Sequence, residues 1–225
     1  MKIESHTMLI KNNYYPNGLT SNDVIKYYQK NKGLLIKENF GRDVMLWIMT
    51  ELNKGVMKRK GINDNYLQLT NTSYDKLMHG RTICVYSVMK FYEDIGIVDI
   101  DCNNLEACKE ATSDVYESIL DASFINKAYI KFTGKTGFHV VCELNRKAKI
   151  DAIRFLLKNH LSKDPNLKKY TMQKTRTVGT PNIDLSPNKL NGAFISIHSL
   201  SQIGLRCQII DYTKLKSFNP NIAKI

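Results

Sequence analysis

Two aspartates with one residue between them stand in an apolar stretch near the middle of the chain. The stretch runs from Ile95 to Cys102 and reads IGIVDIDC. It predicts a strand in which Asp99 and Asp101 project from the same face, because strand side chains repeat with period two. Like charges so placed need a raised pKa or a counter-cation, and Mg²⁺ or Mn²⁺ is the usual occupant. An edge strand whose two acids merely face water explains the pair equally well.

A glycine-rich turn follows later in the chain. It reads TGKTGFH from Thr133 to His139 and lies between strands predicted over residues 128–133 and 138–144, so a hairpin is expected. Glycines let backbone N–H groups approach an anion, while hydroxyl, ammonium and imidazole groups donate to phosphate oxygens. These groups suit a triphosphate. A plain hairpin with a surface lysine, and His139 as a core histidine, remain the alternatives.

Asp184 is the third acid of interest, although Ile183-Asp184 alone carries no signal. Its meaning comes from the order of a D-x-D strand, a glycine hairpin ending in histidine, and a lone apolar-Asp pair. Three carboxylates brought together could hold two cations about 4 Å apart, which activate an attacking hydroxyl and stabilise a departing pyrophosphate.

The composition favours a basic globular protein. The chain has 225 residues, 43% of them apolar, which fits one large domain or two small ones. A formal charge of +12 suits a polyanionic partner. A solvated basic surface, or a genome-wide compositional bias toward lysine and asparagine, also explains it. We see no apolar run of membrane-spanning length and no apolar signal segment, so we expect a cytoplasmic protein without a membrane partner.

The five cysteines, at positions 84, 102, 108, 142 and 207, include no C-x-x-C pair. We therefore expect reduced core residues, with neither a disulfide framework nor a zinc site.

The periodicity of the remaining chain predicts helices and strands in irregular alternation. Helices are expected over residues 20–33, 42–53, 105–120 and 147–161, and further strands over 66–70, 83–89, 193–198 and 205–210. This order favours an α+β fold with a mixed or antiparallel sheet and flanking helices. A basic segment at residues 54–61 would either grip nucleic-acid phosphates or form a solvated loop; its cations are Lys54, Lys58, Arg59 and Lys60.

In this order the three motifs resemble those of the archaeo-eukaryotic primase superfamily, namely D-x-D, S-G-x-x-G-x-H and apolar-Asp. Tyr86-Ser87 and Ser196-Ile197-His198 resemble further landmarks of that family, and the amino-terminal portion is similar to the polymerase domain of bacterial end-joining ligases. The resemblance covers about residues 20–210. Two departures are that Thr133 replaces serine and that the cation usual before the second glycine is replaced by Thr136.

The resemblance implies a primase-polymerase catalytic core as a single domain over residues 1–225, with an amino-terminal subregion at 1–80 and the core at 81–215. It implies a template-dependent nucleotidyltransferase that uses Mg²⁺ or Mn²⁺, with Asp99, Asp101 and Asp184 as catalytic metal ligands. The implied partners are a single-stranded DNA or RNA template and nucleoside triphosphates, with room for an accessory domain or subunit and for primer-free initiation. The implied nucleotide-binding residues are Thr133, Gly134, Lys135, Gly137, His139 and His198.

Two other functions remain open at this stage. A metal-dependent nuclease could use the same three acids to activate water, but it would have no need for a triphosphate cradle. A non-catalytic nucleic-acid-binding module would carry the acids incidentally and would bind without regard to divalent metal.

Overall fold

The computed structural model describes residues 7–61, 64–172 and 180–225. It is an α+β protein with antiparallel sheets and a few helices, as the sequence predicts. Its contacts divide the chain into two compact units. The first comprises Met1–Val88, Ala193–Gln208 and Asn219–Ile225, and the second comprises Met89–Gly192 and Ile209–Phe218. The single catalytic domain expected from the sequence, with its subregions, stays a prediction.

The first unit is built mainly from the amino-terminal segment. Its sheet has the order β11-β6-β3-β4, with β5 also paired to β3, and β1 and β2 form a separate two-stranded ribbon. The elements up to residue 88 are β1 (Met8–Ile10), β2 (Leu19–Thr20), α1 (Ser21–Lys30), α2 (Lys32–Glu38), β3 (Asp43–Glu51), β4 (Lys54–Lys58), β5 (Leu67–Gln68), α3 (Tyr74–Leu77) and β6 (Thr82–Val88).

The second unit holds a five-stranded sheet with the order β10-β7-β9-β8-β12. Within the described residues, short 3-10 helices lie at Pro165–Lys169 and Tyr212–Lys214 in this unit and at Pro220–Ala223 in the first unit. The other elements after residue 88 are β7 (Tyr92–Asp101), α4 (Leu105–Leu120), β8 (Ile125–Phe132), β9 (Phe138–Lys149), α5 (Ile150–Lys163), β10 (Asn182–Asp184) and β12 (Gln208–Ile210), together with β11 (Ala193–Ile195), which belongs to the sheet of the first unit.

The helix predicted over residues 42–53 is wrong, because this segment forms β3. Its near-continuous apolar run fits helical spacing but also fits a strand that is buried in the middle of a sheet. β3 pairs antiparallel with β4 along one edge and with β6 along the other. Long-range pairing therefore overrides the local pattern. The next segment, for which a solvated loop was one of two expectations, forms β4, because it folds back on β3 in a hairpin.

The helix expected from Thr20 is confirmed, and a capping box explains where it begins. The Thr20 side chain accepts the N–H of Asp23, while the Asp23 carboxylate accepts the Thr20 N–H. The predicted helix over residues 105–120 is also confirmed, and Asn104 is its cap, accepting the N–H of Ala107.

In the second unit, α5 covers one face of the sheet. A side-chain carbon added at Gly96 would lie 2.8 Å from Leu157 and 3.0 Å from Ile153 of α5, so the helix packs directly on this position of β7. Side chains alternate along β7, so Val98 and Ile100 share the helix-covered face with Gly96. Asp99 and Asp101 consequently project from the other face.

The edge of β7 is fixed by a side chain from the loop after β10. Buried Asn188 accepts the N–H of Ile97 at 2.8 Å and donates to the carbonyl of Ile97 at 2.5 Å. The amide thus replaces a missing neighbouring peptide, and it ties the loop that follows Asp184 to the D-x-D strand.

The five cysteines are all buried and none of them forms a disulfide, which confirms the expectation of reduced core thiols. Burial raises the pKa of the Cys84, Cys108 and Cys142 thiols, so these remain protonated. No helix in the described part of the chain combines the length and the apolar character needed to cross a membrane.

Candidate active site

Strand register brings the predicted site residues into one cross-strand row. Asp184 of β10 lies opposite Asp99 of β7, and Asp99 lies opposite His139 of β9. Residues directly opposite in antiparallel strands share a face, with Cβ atoms about 4.5–5.5 Å apart. Asp101 lies two residues along β7 on the same face, opposite Asn182. The three acids predicted from distant parts of the sequence therefore share one face of one sheet.

Each acid of the row has its own neighbours. The Asp99 Oδ1 atom lies 3.3 Å from His139 Nε2. The Asp184 carboxylate accepts two hydrogen bonds from Ser186, one from the backbone N–H at 2.7 Å and one from the hydroxyl at 2.5 Å. These two donors fix the rotamer of Asp184 and leave lone pairs on both oxygens for another ligand.

The glycine hairpin lies directly against Asp101. A side-chain carbon added at Gly137 would fall 2.6 Å from Asp101 Oδ1 and 2.9 Å from the carbonyl oxygen of Ile100. Glycine is therefore required here, because only a residue without a side chain lets the turn approach the carboxylate. The predicted proximity of hairpin and acids is present within the second unit.

The groups of the hairpin differ in how free they are to bind a ligand. The Thr133 N–H and hydroxyl both donate to the Gly137 carbonyl, at 3.1 and 2.9 Å, and so close the turn. Gly134 takes a left-handed conformation, with φ of 84°. Lys135 is exposed and has no ion-pair partner among the residues described. The Lys135 ammonium is thus the hairpin cation best placed to meet an anion from solvent.

His139 is buried but remains beside Asp99. Its side chain is 6% exposed, and its Nδ1 atom has no hydrogen-bond partner within the described residues. Burial, followed by the charge of Lys131, lowers the pKa of His139, although Asp99 opposes this shift. A neutral imidazole that donates from Nε2 to Asp99 presents Nδ1 as an acceptor, so a bound phosphate would require a proton on that nitrogen.

The depressed pKa of His139 predicts a contribution to stability that depends on pH. The unfolded chain binds the proton near pH 6.5, whereas the folded chain binds it only at lower pH. Stability should therefore fall as the pH drops below about 6.5, by up to about 1.4 kcal/mol per pH unit from this group. Denaturant unfolding of the wild type and of His139→Gln between pH 7 and pH 5 measures it. An equally steep loss in the variant would contradict the assignment.

Two side chains of the site were missed by sequence reasoning. Lys131, which is 1% exposed, lies opposite His139 on β8 and extends the row to a fourth strand. The sequence contained the information needed to find Lys131, because counting back along both strands from the hairpin turn pairs residue 131 with residue 139. Ser186 was missed as well, and its signal was the Asp-x-Ser spacing typical of a side-chain-capped turn.

The remaining predicted residues lie in the first unit. His198 has a left-handed backbone, with φ of 65°, and its carbonyl accepts the Tyr27 hydroxyl at 2.9 Å. Burial, together with the charge of Arg206, lowers the pKa of His198. The Ser87 and Ser196 hydroxyls contact each other, and both donate to the Asn39 amide oxygen, in a buried cluster that joins β6, the residue after β11 and the end of α2. These two serines are thus structural in their contacts.

Two of the four cations of the basic segment at residues 54–61 form ion pairs within the protein. Lys54 pairs with Glu51 at 3.2 Å, and Lys60 pairs with Asp64 at 2.8 Å. Lys58 and Arg59 are exposed. Its role in nucleic-acid binding stays a prediction.

Asp99, Asp101 and Asp184, here called the acidic row, offer carboxylate oxygens that suit a hard divalent cation. They do not by themselves form a complete metal site. Among the residues described, no group of three His, Cys, Asp or Glu side chains is arranged to hold a metal ion. Mg²⁺ in phosphoryl-transfer sites is commonly held by one or two carboxylates together with substrate phosphates. Asp99, Asp101 and Asp184 supply the carboxylate oxygens for such a site, and a bound triphosphate would supply the rest.

Comparison with known proteins supports the fold. No protein-family model matches the chain, and no curated protein matches it. Among solved structures it is similar to the polymerase domain of Ligase D from Mycobacterium tuberculosis, determined in complex with DNA. The TM-score is 0.77 at 12% sequence identity, and the match covers 98% of this chain and 89% of that one. At this identity the likeness shows a primase-polymerase-like fold and nothing more specific.

Proposed function

We propose that this protein is a template-dependent nucleotidyltransferase that joins nucleoside triphosphates, that is, a primase or polymerase catalytic core. The observation that carries the proposal is the cross-strand row of Asp184, Asp99 and His139, with Asp101 held against the glycine hairpin. A fold similar to that of a polymerase domain solved with DNA supports it independently. A charge of +12 suits a nucleic-acid template.

In this scheme Asp99, Asp101 and Asp184 hold Mg²⁺ or Mn²⁺. When bound, these ions supply a more acidic attacking hydroxyl and charge stabilisation for the departing pyrophosphate. The three carboxylates position the reacting groups from adjacent strands, whose hydrogen-bonded register keeps them in place. Ser186 keeps the Asp184 carboxylate in one rotamer.

The hairpin residues bind the triphosphate in the same scheme. Gly134 and Gly137 allow the backbone to approach phosphate oxygens, and the Lys135 ammonium neutralises their charge. Thr133 closes the turn through its bonds to Gly137, so its contribution is to the shape of the cradle. We also assign His139, and His198 of the first unit, to nucleotide binding. For His139 the contact requires a proton on Nδ1.

One experiment tests the proposal against the other two functions. The protein is incubated with a single-stranded template, Mg²⁺ or Mn²⁺ and labelled triphosphates, with and without a primer, and the products are sized. Extended products support the proposal, and products in the primer-free arm extend it to initiation. Shortened template would indicate a nuclease instead. Metal-independent binding without any product would indicate a non-catalytic binding module.

A further inference from the structure

A strongly basic pocket of about 430 Å³ lies beside α1 in the first unit. Four cations line it: Lys26 and Lys30 from α1, Arg206, and Lys224. Lys26 and Lys30 are four residues apart, so they lie on the same side of the helix with Cβ atoms about 5–6 Å apart. Asp23 and Tyr27 complete the α1 side of the pocket.

The protein offsets only part of the positive charge of this pocket, because the Asp23 carboxylate is the one acidic side chain among the four cations of the lining. Lys26, Lys30 and Lys224 have no ion-pair partner in the described ranges, in contrast to Lys32, Lys54, Lys60 and Lys169, which all pair with carboxylates. The Arg206 guanidinium donates to the neutral amide oxygen of Gln208, at 2.9 Å from Nε and 2.6 Å from Nη2. This contact orients Arg206 without cancelling its charge.

The other polar groups of the lining already have partners. The Asp23 carboxylate accepts the Thr20 N–H at 2.9 Å and the Thr20 hydroxyl at 2.6 Å in the capping box of α1. The Tyr27 hydroxyl donates to the His198 carbonyl. The Asn31 side-chain amide likewise donates to the Tyr27 carbonyl, at 2.8 Å. These hydrogen bonds engage Asp23, Tyr27 and the Asn31 NH₂ group within the protein, so the cations are the main groups offered to a ligand rather than groups that read the edge of a base. Such a lining recognises phosphate without selecting a sequence.

We propose that this pocket binds backbone phosphates of a single-stranded nucleic acid, as a strand-holding site separate from the triphosphate-binding hairpin. Its volume lies within the ~300–1,000 Å³ range of ligand pockets, which suits a nucleotide unit of a strand better than a lone phosphate ion. The identity of the polyanion rests on the proposed function. The residues that form the pocket belong neither to the acidic row nor to the hairpin.

The double variant Lys26→Gln/Lys30→Gln tests this assignment. Binding of a fluorescent oligodeoxythymidylate and of a mixed-sequence strand is measured in a chelator at about 0.05–0.2 M salt. Losing two phosphate contacts should weaken both strands about 10- to 30-fold at 0.1 M salt and reduce the salt slope by about 1.4, at ~0.7 per contact. The control Lys158→Gln/Lys163→Gln removes the same charge from exposed positions of α5 and should change both quantities less.

Triphosphate binding is measured on the same variants and should be unchanged by Lys26→Gln/Lys30→Gln. The assignment is overturned if this variant binds strands like the control variant, or if it loses triphosphate affinity while strand affinity stays. All of these measurements omit catalysis. Failure of nucleotide addition in the wild type would therefore reject the proposed function. The strand-binding measurements would still support or reject the strand-holding site independently of that result.

Discussion

Replacing Asp101 by asparagine should abolish nucleotide addition while leaving the fold and most template binding in place. The neutral amide removes one of three carboxylate charges that the scheme assigns to the metal ions, and it sits beside the glycine hairpin. A loss of about 4 kcal/mol of transition-state stabilisation corresponds to about a 10³-fold lower rate. Single-nucleotide extension of a labelled primer measures this loss, and thermal unfolding checks the fold.

Asp94→Asn is the matched control for that variant. Asp94 is an exposed acid on the same strand, β7, so the same chemical change there should leave the rate close to that of the wild type. Retained synthesis by a folded Asp101→Asn protein would reject the role of the acidic row. An equal loss in both variants would show that the effect is not specific to the row.

Gly137→Ala should produce the second largest loss, about 10²-fold in the rate of nucleotide addition. The added methyl group would meet Asp101 Oδ1 at 2.6 Å and the Ile100 carbonyl oxygen at 2.9 Å, both closer than real contacts of this kind. Because the Ile100 oxygen belongs to the backbone of β7, the hairpin or the carboxylate must shift. A misplacement of about 1 Å can cost roughly 10²-fold in rate. The same extension assay measures it.

Gly33→Ala controls for the removal of a glycine. Gly33 lies in α2, and a side-chain carbon added there meets nothing within 4 Å. This substitution should leave activity unchanged and raise the free energy of unfolding by about 0.4–1 kcal/mol, since alanine restricts the unfolded chain and favours helix. A folded Gly137→Ala protein with wild-type activity would contradict the proposed contact between hairpin and acid.

Local periodicity was enough to predict much of the candidate site. The alternation along β7 places Asp99 and Asp101 on one face, and the length of the turn after Thr133 sets His139 opposite Lys131. Both relations span only a few residues. The same local rules failed at residues 42–53, where an apolar run without clear alternation fitted a helix and the sheet made it β3.

The meeting of Asp184 with Asp99 was decided only by tertiary structure. Sequence order suggested the encounter through a family resemblance, but no local pattern specifies that β10 pairs with β7. The same is true of Gly137 against Asp101 and of the buried position of His139. Backbone dihedrals and side-chain alternation are properties of neighbouring residues, so the sequence determines them directly. Strand partners far apart in the chain are selected by burial and by backbone hydrogen bonding, which operate only once the whole unit has folded.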